Sequence, residues 1–179
     1  MALVPKDPLL SAGRFLALIA QYLMAFAAIL IAITLPVILI FHADIAEELQ
    51  SEFGDPTYTF PLWETIAVML LALMTLICLF LFFKKLVQII GTVGDGDPFV
   101  PANASRLEQM GWLMLATQLL SIPMLWIGYR VNDAFEDAER TTSHLDVDGS
   151  GLLLVIILFI LARVFRRGAD MRDDLEGTV

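Results

Sequence analysis

The chain has 179 residues, of which 58% are hydrophobic and only 17% are charged, and its formal net charge is −9. This composition is too apolar for an ordinary soluble domain. The few basic residues do not form the exposed basic surface that nucleic-acid binding requires, so direct nucleic-acid binding is not expected.

Four apolar segments follow one another along the chain, and the first three contain long runs without a charged residue. About 20 such residues cross a bilayer as a helix, because backbone polar groups must bond to one another where water is absent. We predict an all-α protein, a four-helix transmembrane bundle that forms a single membrane domain over residues 1–179. Its predicted spans are residues 15–41, 62–83, 109–129 and 149–165.

The fourth segment is the shortest. Residues 149–162 carry no charge and rise about 21 Å as a helix, whereas the hydrocarbon core is about 30 Å thick. Arg163 can extend its guanidinium to the headgroups, which allows the next residues to remain at membrane depth. A fourth span is the prediction, and a re-entrant or interfacial helix is the alternative.

Basic residues are distributed unevenly between the two sides of these spans. Nine of the eleven precede span 1, lie between spans 2 and 3, or flank the end of span 4, and only Arg130 and Arg140 lie on the other side. The positive-inside rule then places both termini and the connection between spans 2 and 3 in the cytoplasm. The predicted location is the cytoplasmic membrane, where the spans contact lipid.

The first two spans carry few polar signals. Pro36 predicts a kink in the outer third of span 1. The acidic residues after Phe41 predict one or two helical turns that end at Gly54. Cys78 is the single cysteine, so no intramolecular disulfide can form, and a buried small hydrophobe is its expected role.

A polar hairpin is predicted between spans 2 and 3, over residues 84–110. The helical pattern of span 2 continues past Lys84 to about residue 93, and the sequence GDGDP at 94–98 then predicts a turn. GDGDP lacks the Lys-Ser/Thr of a phosphate-binding loop, and its carboxylates would repel phosphate. Pro101 suits the first turn of the next helix, and Ser105 with Glu108 matches a capping box.

The second outer loop contains half of a calcium-binding motif. Asp146, Asp148 and Ser150, followed by Gly151, match the first half of a calcium loop, but Ile157 occupies the position that requires a bidentate Glu. A polar turn at the start of span 4 is the favoured interpretation. We expect no metal, no cofactor and no enzymatic activity, because the sequence shows no metal-ligand cluster and no nucleophile–base pair.

A cytoplasmic helix is predicted after span 4, over residues 166–176. Arg166 can pair with Asp170 one turn later, and the helix is expected to reach about Leu175. Arg106 of the hairpin is a candidate partner for Asp170 or Asp173.

Two groups of residues, in the hairpin and at the C-terminal end, resemble the domain-of-unknown-function 2975 family. They are Gly96, Asp97, Pro98, Phe99, Asn103, Arg106, Leu107, Gly111 and Trp112, and then Leu161, Ala162, Val164, Phe165, Gly168, Met171, Arg172, Asp174, Leu175, Glu176, Thr178 and Val179. Val100 departs from the expected Ser or Thr. The resemblance implies a small four-span bacterial inner-membrane protein without a cofactor, often encoded beside a small helix-turn-helix regulator that it would control.

Two classes of function follow. In the first, the hairpin tip and the C-terminal helix form a surface that binds a soluble regulator, an identity that only the resemblance implies. The alternative is a small transporter or channel subunit, which the lack of acidic or basic residues deep in the spans disfavours. Homo-oligomer formation stays open. The predicted partner-binding residues are Asp95, Gly96, Pro98, Phe99, Asn103, Arg106, Leu107, Arg166, Gly168, Arg172 and Leu175.

Overall fold

The computed structural model describes residues 8–53, 59–134 and 149–176. These residues form four α-helices and, within the described ranges, no β-strand. The predicted all-α class with four helices is thus confirmed. The helices are α1 (Pro8–Phe53), α2 (Leu62–Gly94), α3 (Pro101–Ala134) and α4 (Gly149–Glu176).

Each helix contains a stretch that is long and apolar enough to cross a membrane. Large apolar side chains such as Phe26, Trp126 and Ile160 are exposed on the outside of the helices. An apolar exterior of this extent is stable in hydrocarbon rather than in water. The chain is therefore a helical membrane protein with four candidate spans, which are Pro8–Ser51, Leu62–Gly94, Pro101–Gly128 and Gly149–Asp174.

Helix α1 is longer than the sequence predicted. It contains 46 residues, about 69 Å of helix, which is more than twice the thickness of the hydrocarbon core. The acidic turns after Phe41 are not a separate element but continue α1, and the helix passes through Pro36 without ending. A proline removes one backbone donor from a helix, yet the helix continues on both sides of Pro36.

The helices pack in the order of the sequence. α1 lies against α2, α2 against α3, and α3 against α4. Among the described residues, α4 makes no close backbone contact with α1 or α2. The four helices consequently form an open row rather than a ring.

The best-buried apolar cluster is formed by side chains of α2, α3 and α4. Its members are Ile89, Leu107, Met110, Leu158 and Ala162. On α4 the buried apolar residues are spaced three, four or seven apart, which places them on one seam of the helix that faces α3. They are Val155, Leu158, Ala162 and Ala169. The cluster anchors the turn between α2 and α3. This turn, residues 95–100, is called the tip below.

Candidate functional site

The tip begins with a tight turn at the end of α2. The backbone N–H groups of Asp95, Gly96 and Asp97 donate to the carbonyl oxygens of Gly91, Val93 and Thr92, at 3.0, 3.1 and 3.1 Å. Gly96 has a φ of 87°, a left-handed conformation that a residue with a Cβ adopts only with strain. The predicted turn at GDGDP is therefore confirmed, and its glycine is required by the backbone.

The side chain of Asn103 closes the tip from the α3 side. Its Nδ2 donates to Thr92 Oγ1 at 2.8 Å and to the Pro98 carbonyl oxygen at 2.9 Å, and its Oδ1 accepts from Arg106 Nη1 at 2.8 Å. A carbonyl only accepts and a guanidinium only donates, so these neighbours fix which atom of the amide is nitrogen and which is oxygen. Asn103 is fully buried, and its amide joins the end of α2, the turn and the start of α3.

The start of α3 differs from the predicted capping box. α3 begins at Pro101, as predicted, and the first backbone bond runs from Asn103 N to the Val100 carbonyl oxygen at 2.8 Å. Ser105 consequently lies inside the helix rather than at its cap. The Glu108 carboxylate, which a capping box would turn toward the helix start, instead bonds to α4. The capping-box interpretation was wrong, because the helix starts one turn earlier.

Phe99 packs against the last part of α4. Its ring centroid lies 5.4 Å from that of Phe165, with the two planes inclined by 44°. A Cβ added at Gly168 would lie 2.6 Å from Cδ1 of Phe99, closer than any real carbon contact. Gly168 therefore provides the space in which the Phe99 ring rests on the helix, although 41% of Phe99 stays exposed.

Two ion pairs connect the same parts of the chain. Arg166 Nη2 lies 2.6 Å from Glu108 Oε2, and Arg172 bonds to the carboxylate of Asp97. The side chains of both pairs are more than 40% exposed, so each pair contributes less than about 1 kcal/mol. Their effect is mainly on the orientation of α4 against α3 and the tip.

These pairs replace two that the sequence predicted. Arg166 was expected to bond to Asp170 one helical turn away, and Arg106 to an acidic residue of α4. In the structure Arg166 bonds across to α3, and Arg106 bonds to Asn103 within its own helix. Spacing along one helix cannot reveal a neighbour that another helix provides.

The predicted partner-binding residues lie at the same end of the molecule but differ in burial. Asp95, Gly96, Phe99, Arg166 and Arg172 are exposed, Pro98, Arg106 and Gly168 are partly buried, and Asn103 and Leu107 are buried. Leu175 lies in the last turn of α4, and its side chain is outside the described residues. The predicted partner-binding set omits Thr92, Glu108 and Phe165, which contact its members in the structure. Phe165 could have been found from its position on the seam of α4.

The metal-binding interpretations receive no geometric support from the described ranges. Within them, no group of three or more His, Cys, Asp or Glu side chains is placed to hold a metal ion. Asp146 and Asp148 of the calcium half-motif lie outside the described residues. Ser150 and Gly151 belong to the first turn of α4, and Cys78 is a free, partly buried thiol.

Comparison with known proteins identifies a family. A family model described as "Protein of unknown function (DUF2975)" matches residues 42–179. That range includes all of α2, α3 and α4 and the end of α1. No curated protein and no solved structure matches the chain.

Proposed function

Because the chain belongs to the family described as "Protein of unknown function (DUF2975)", we propose its function from the geometry of the tip and from what the family resemblance implies. The chain is an integral protein of the bacterial inner membrane, with both termini and the tip in the cytoplasm. The tip and the end of α4 bind and control a small helix-turn-helix transcription regulator. The protein acts by binding, without catalysis.

The observation that carries this proposal is the position of Phe99. Its ring lies at the end of a turn that Asn103 and Gly96 fix, and α4 supports it from behind through Gly168. Part of the ring nevertheless stays exposed. Exposed aromatic side chains on rigid supports commonly contribute most of the energy of a protein interface, and a surface that is already ordered loses little entropy on binding.

The buried residues have a different role in this proposal. Asn103 and Leu107 cannot touch a partner while they are buried, so they contribute through the shape of the tip. Arg106 is partly buried and bonds to Asn103, which leaves its guanidinium less available as an anchor than the sequence alone suggested. Asp95 and Phe99 are the residues best placed for direct contact.

Orientation in the membrane can be tested by itself. The uneven distribution of basic residues supports a cytoplasmic tip. Reporter fusions after Glu139 and after Val179 should report opposite sides of the membrane, with the second in the cytoplasm. If both report the same side, the proposed orientation is wrong.

The binding proposal is tested by capture of the regulator encoded beside this protein. The parent should retain the regulator, and Phe99→Ala should weaken binding at least about tenfold, the effect of losing roughly 1.4 kcal/mol. Phe26→Ala is the matched control, because it removes an exposed aromatic ring from α1, which makes no close backbone contact with α3 or α4 in the described part of the chain. Membrane insertion is checked in every variant.

The outcomes distinguish whether the regulator binds this protein from whether the chosen residues bind the regulator. If the well-inserted parent captures no regulator, the proposed function is refuted. If Phe99→Ala and Arg106→Ala capture it as well as the parent, the regulator binds elsewhere. The alternative of a transporter or channel subunit needs a path through the membrane, and the open row of described helices favours the binding function.

A further inference from the structure

Helix α4 covers one side of α3 near the tip, and Arg106 lies on the other side. Glu108 bonds to Arg166 of α4, and a Cβ at Gly111 would lie 3.1 Å from the ring of Phe159, also on α4. Successive residues of a helix are rotated by about 100°, so Arg106 leaves α3 about 160° away from Glu108. The side of α3 that carries Arg106 is therefore not the side that α4 covers.

Lys85 and Gln88 of α2 lie on the same open side of the helix pair formed by α2 and α3. The apolar residues of α2 that pack against the buried cluster, which includes residues of α4, are Phe82, Leu86 and Val93. Lys85 and Gln88 form a neighbouring stripe about 100° away, to which Thr92 also belongs. Thr92 bonds to Asn103, and Asn103 accepts from Arg106. The stripe on α2 and Arg106 on α3 thus border one groove between the two helices.

This groove lies at the level of the lipid headgroups. Lys84 and Lys85 directly follow the last residue of the uncharged run of α2. The bond between Thr92 and Asn103 aligns the two helices, and counting from it places Arg106 about 6 Å farther out along the axis than Lys85. The headgroup region on each side of a bilayer is about 5–8 Å thick. The three basic side chains therefore fall within one headgroup layer.

The groove carries positive charge. Lys84 is exposed, and Lys85 and Arg106 are partly buried. The two carboxylates that flank Arg106 in the sequence, Asp97 and Glu108, bond to arginines of α4 instead. In the described part of the chain neither lysine nor Arg106 takes part in an ion pair. The hydrogen bond of Arg106 to the buried amide of Asn103 holds its guanidinium at the groove, so the charge has a fixed position.

We propose that the groove lined by Lys84, Lys85, Gln88 and Arg106 binds the phosphate of an anionic phospholipid in the leaflet on the tip side. The planar fork of arginine and the ammonium group of lysine both bond to phosphate, and basic pockets between membrane helices hold anionic headgroups. Ile77, two helical turns before Lys84 on the same face of α2, is exposed, so acyl chains have an apolar surface directly below the groove. This favours a lipid over a soluble phosphate compound. The inference goes beyond the proposed function and does not depend on it.

Native mass spectrometry of the purified protein in a neutral detergent tests the proposal. Phosphatidylglycerol is added over a range of concentrations, and the dissociation constant of the first bound lipid is measured. Phosphatidylcholine with the same acyl chains carries no net charge, and glycerol phosphate carries the anionic group without the chains. We expect phosphatidylglycerol to bind at least about tenfold more tightly than phosphatidylcholine. An equal concentration of glycerol phosphate should not displace it.

Charge-removing variants locate the site. Each basic residue near an anionic lipid surface strengthens binding about fivefold, so Lys84→Gln combined with Lys85→Gln should weaken phosphatidylglycerol binding about thirtyfold. The matched control is Arg163→Gln combined with Arg167→Gln, which removes the same charge from exposed positions on α4 and should weaken binding less than about threefold. Arg106→Gln alone should weaken binding about fivefold, and this variant does not depend on the folding of the lysine variant.

Each outcome supports or overturns the proposal. Preference for phosphatidylglycerol that the groove variants lose and the α4 control keeps supports it. If the control loses as much affinity as the lysine variant, the lipid is attracted by the basic rim in general, and the groove is not a site. If the parent binds both lipids equally, the proposal is wrong. If glycerol phosphate displaces the lipid, the groove binds a soluble phosphate compound, and the assignment to a lipid is overturned.

Discussion

Replacing Gly168 by alanine tests the contact between α4 and the tip. The new methyl group would lie 2.6 Å from Cδ1 and 2.9 Å from Cε1 of Phe99, so the ring has to leave its place or α4 has to shift. Overpacking of this kind costs about 1–3 kcal/mol. Alanine in place of glycine inside a helix stabilises the helix by about 0.8–1 kcal/mol. The net loss of unfolding free energy should therefore be about 0–2 kcal/mol.

The sharper quantity is the coupling between the two residues. In a Phe99→Ala background the ring is absent, and Gly168→Ala should then stabilise the protein by up to about 1 kcal/mol. The difference between the two backgrounds predicts a coupling of about 1–3 kcal/mol. Gly91→Ala is the matched control, since a Cβ at this helical glycine meets nothing within 4 Å, and it should stabilise both backgrounds equally.

The assay is unfolding of the purified protein in one detergent, with the four members of the cycle measured side by side. Both thermal and chemical unfolding can be used, provided that the transitions are reversible. Equal effects of Gly168→Ala with and without the Phe99 ring would refute the close contact. A coupling of the same size for Gly91→Ala would show that Phe99→Ala acts on the whole molecule instead.

Three further changes follow from individual contacts. Asn103→Ala should lower the unfolding free energy by about 1–3 kcal/mol, because it removes the hydrogen bonds of a buried amide to the partly buried Thr92, Pro98 and Arg106. Ser105→Ala, exposed on the same helix, should change the unfolding free energy little, and equal melting curves for the two variants would contradict this. Glu108→Gln should lower the unfolding free energy by less than about 1 kcal/mol, and this difference should vanish in high salt. A difference that persists in high salt would mean that the ion pair with Arg166 is not simply a surface pair. Gly151→Leu should lower the melting temperature because the side chain meets the Gln118 amide, and Gln118→Ala should relieve the loss; no relief would mean that another neighbour is responsible.

The tip is the part of the fold that the sequence predicts best. Its turn depends on residues next to one another: Gly96 supplies the left-handed conformation, and Pro98 cannot continue a helix. The start of α3 at Pro101 follows from the same local rules. Local rules succeed here because the backbone conformation of each residue restricts that of the next.

Contacts between distant segments were not predictable in the same way. The sequence indicated that the tip and the end of α4 lie at one end, but not that Phe99 rests on Gly168 or that Arg166 bonds to Glu108. Each depends on the rotation and axial displacement of α4 against α3, which packing along the whole seam decides. Asn103 was recognised as part of a motif, whereas its burial and three partners required the folded hairpin.

The continuity of α1 beyond Phe41 was missed for a different reason. Hydropathy marks where the apolar run ends at Phe41, and it does not mark where a helix ends. The acidic residues that follow are compatible with helix, and no proline or glycine interrupts them before Gly54. A helix can thus leave the membrane without a break, which a boundary based on hydrophobicity alone does not detect.

The open row of helices has a consequence for biosynthesis. Because α2, α3 and α4 each pack against the helix that precedes them in the chain, each of them meets a partner that has already been made. Folding that depends on neighbours in sequence avoids the entropy of closing long loops. Chains truncated after α3 should therefore keep the first three helices paired, whereas deletion of α2 leaves α1 without its partner.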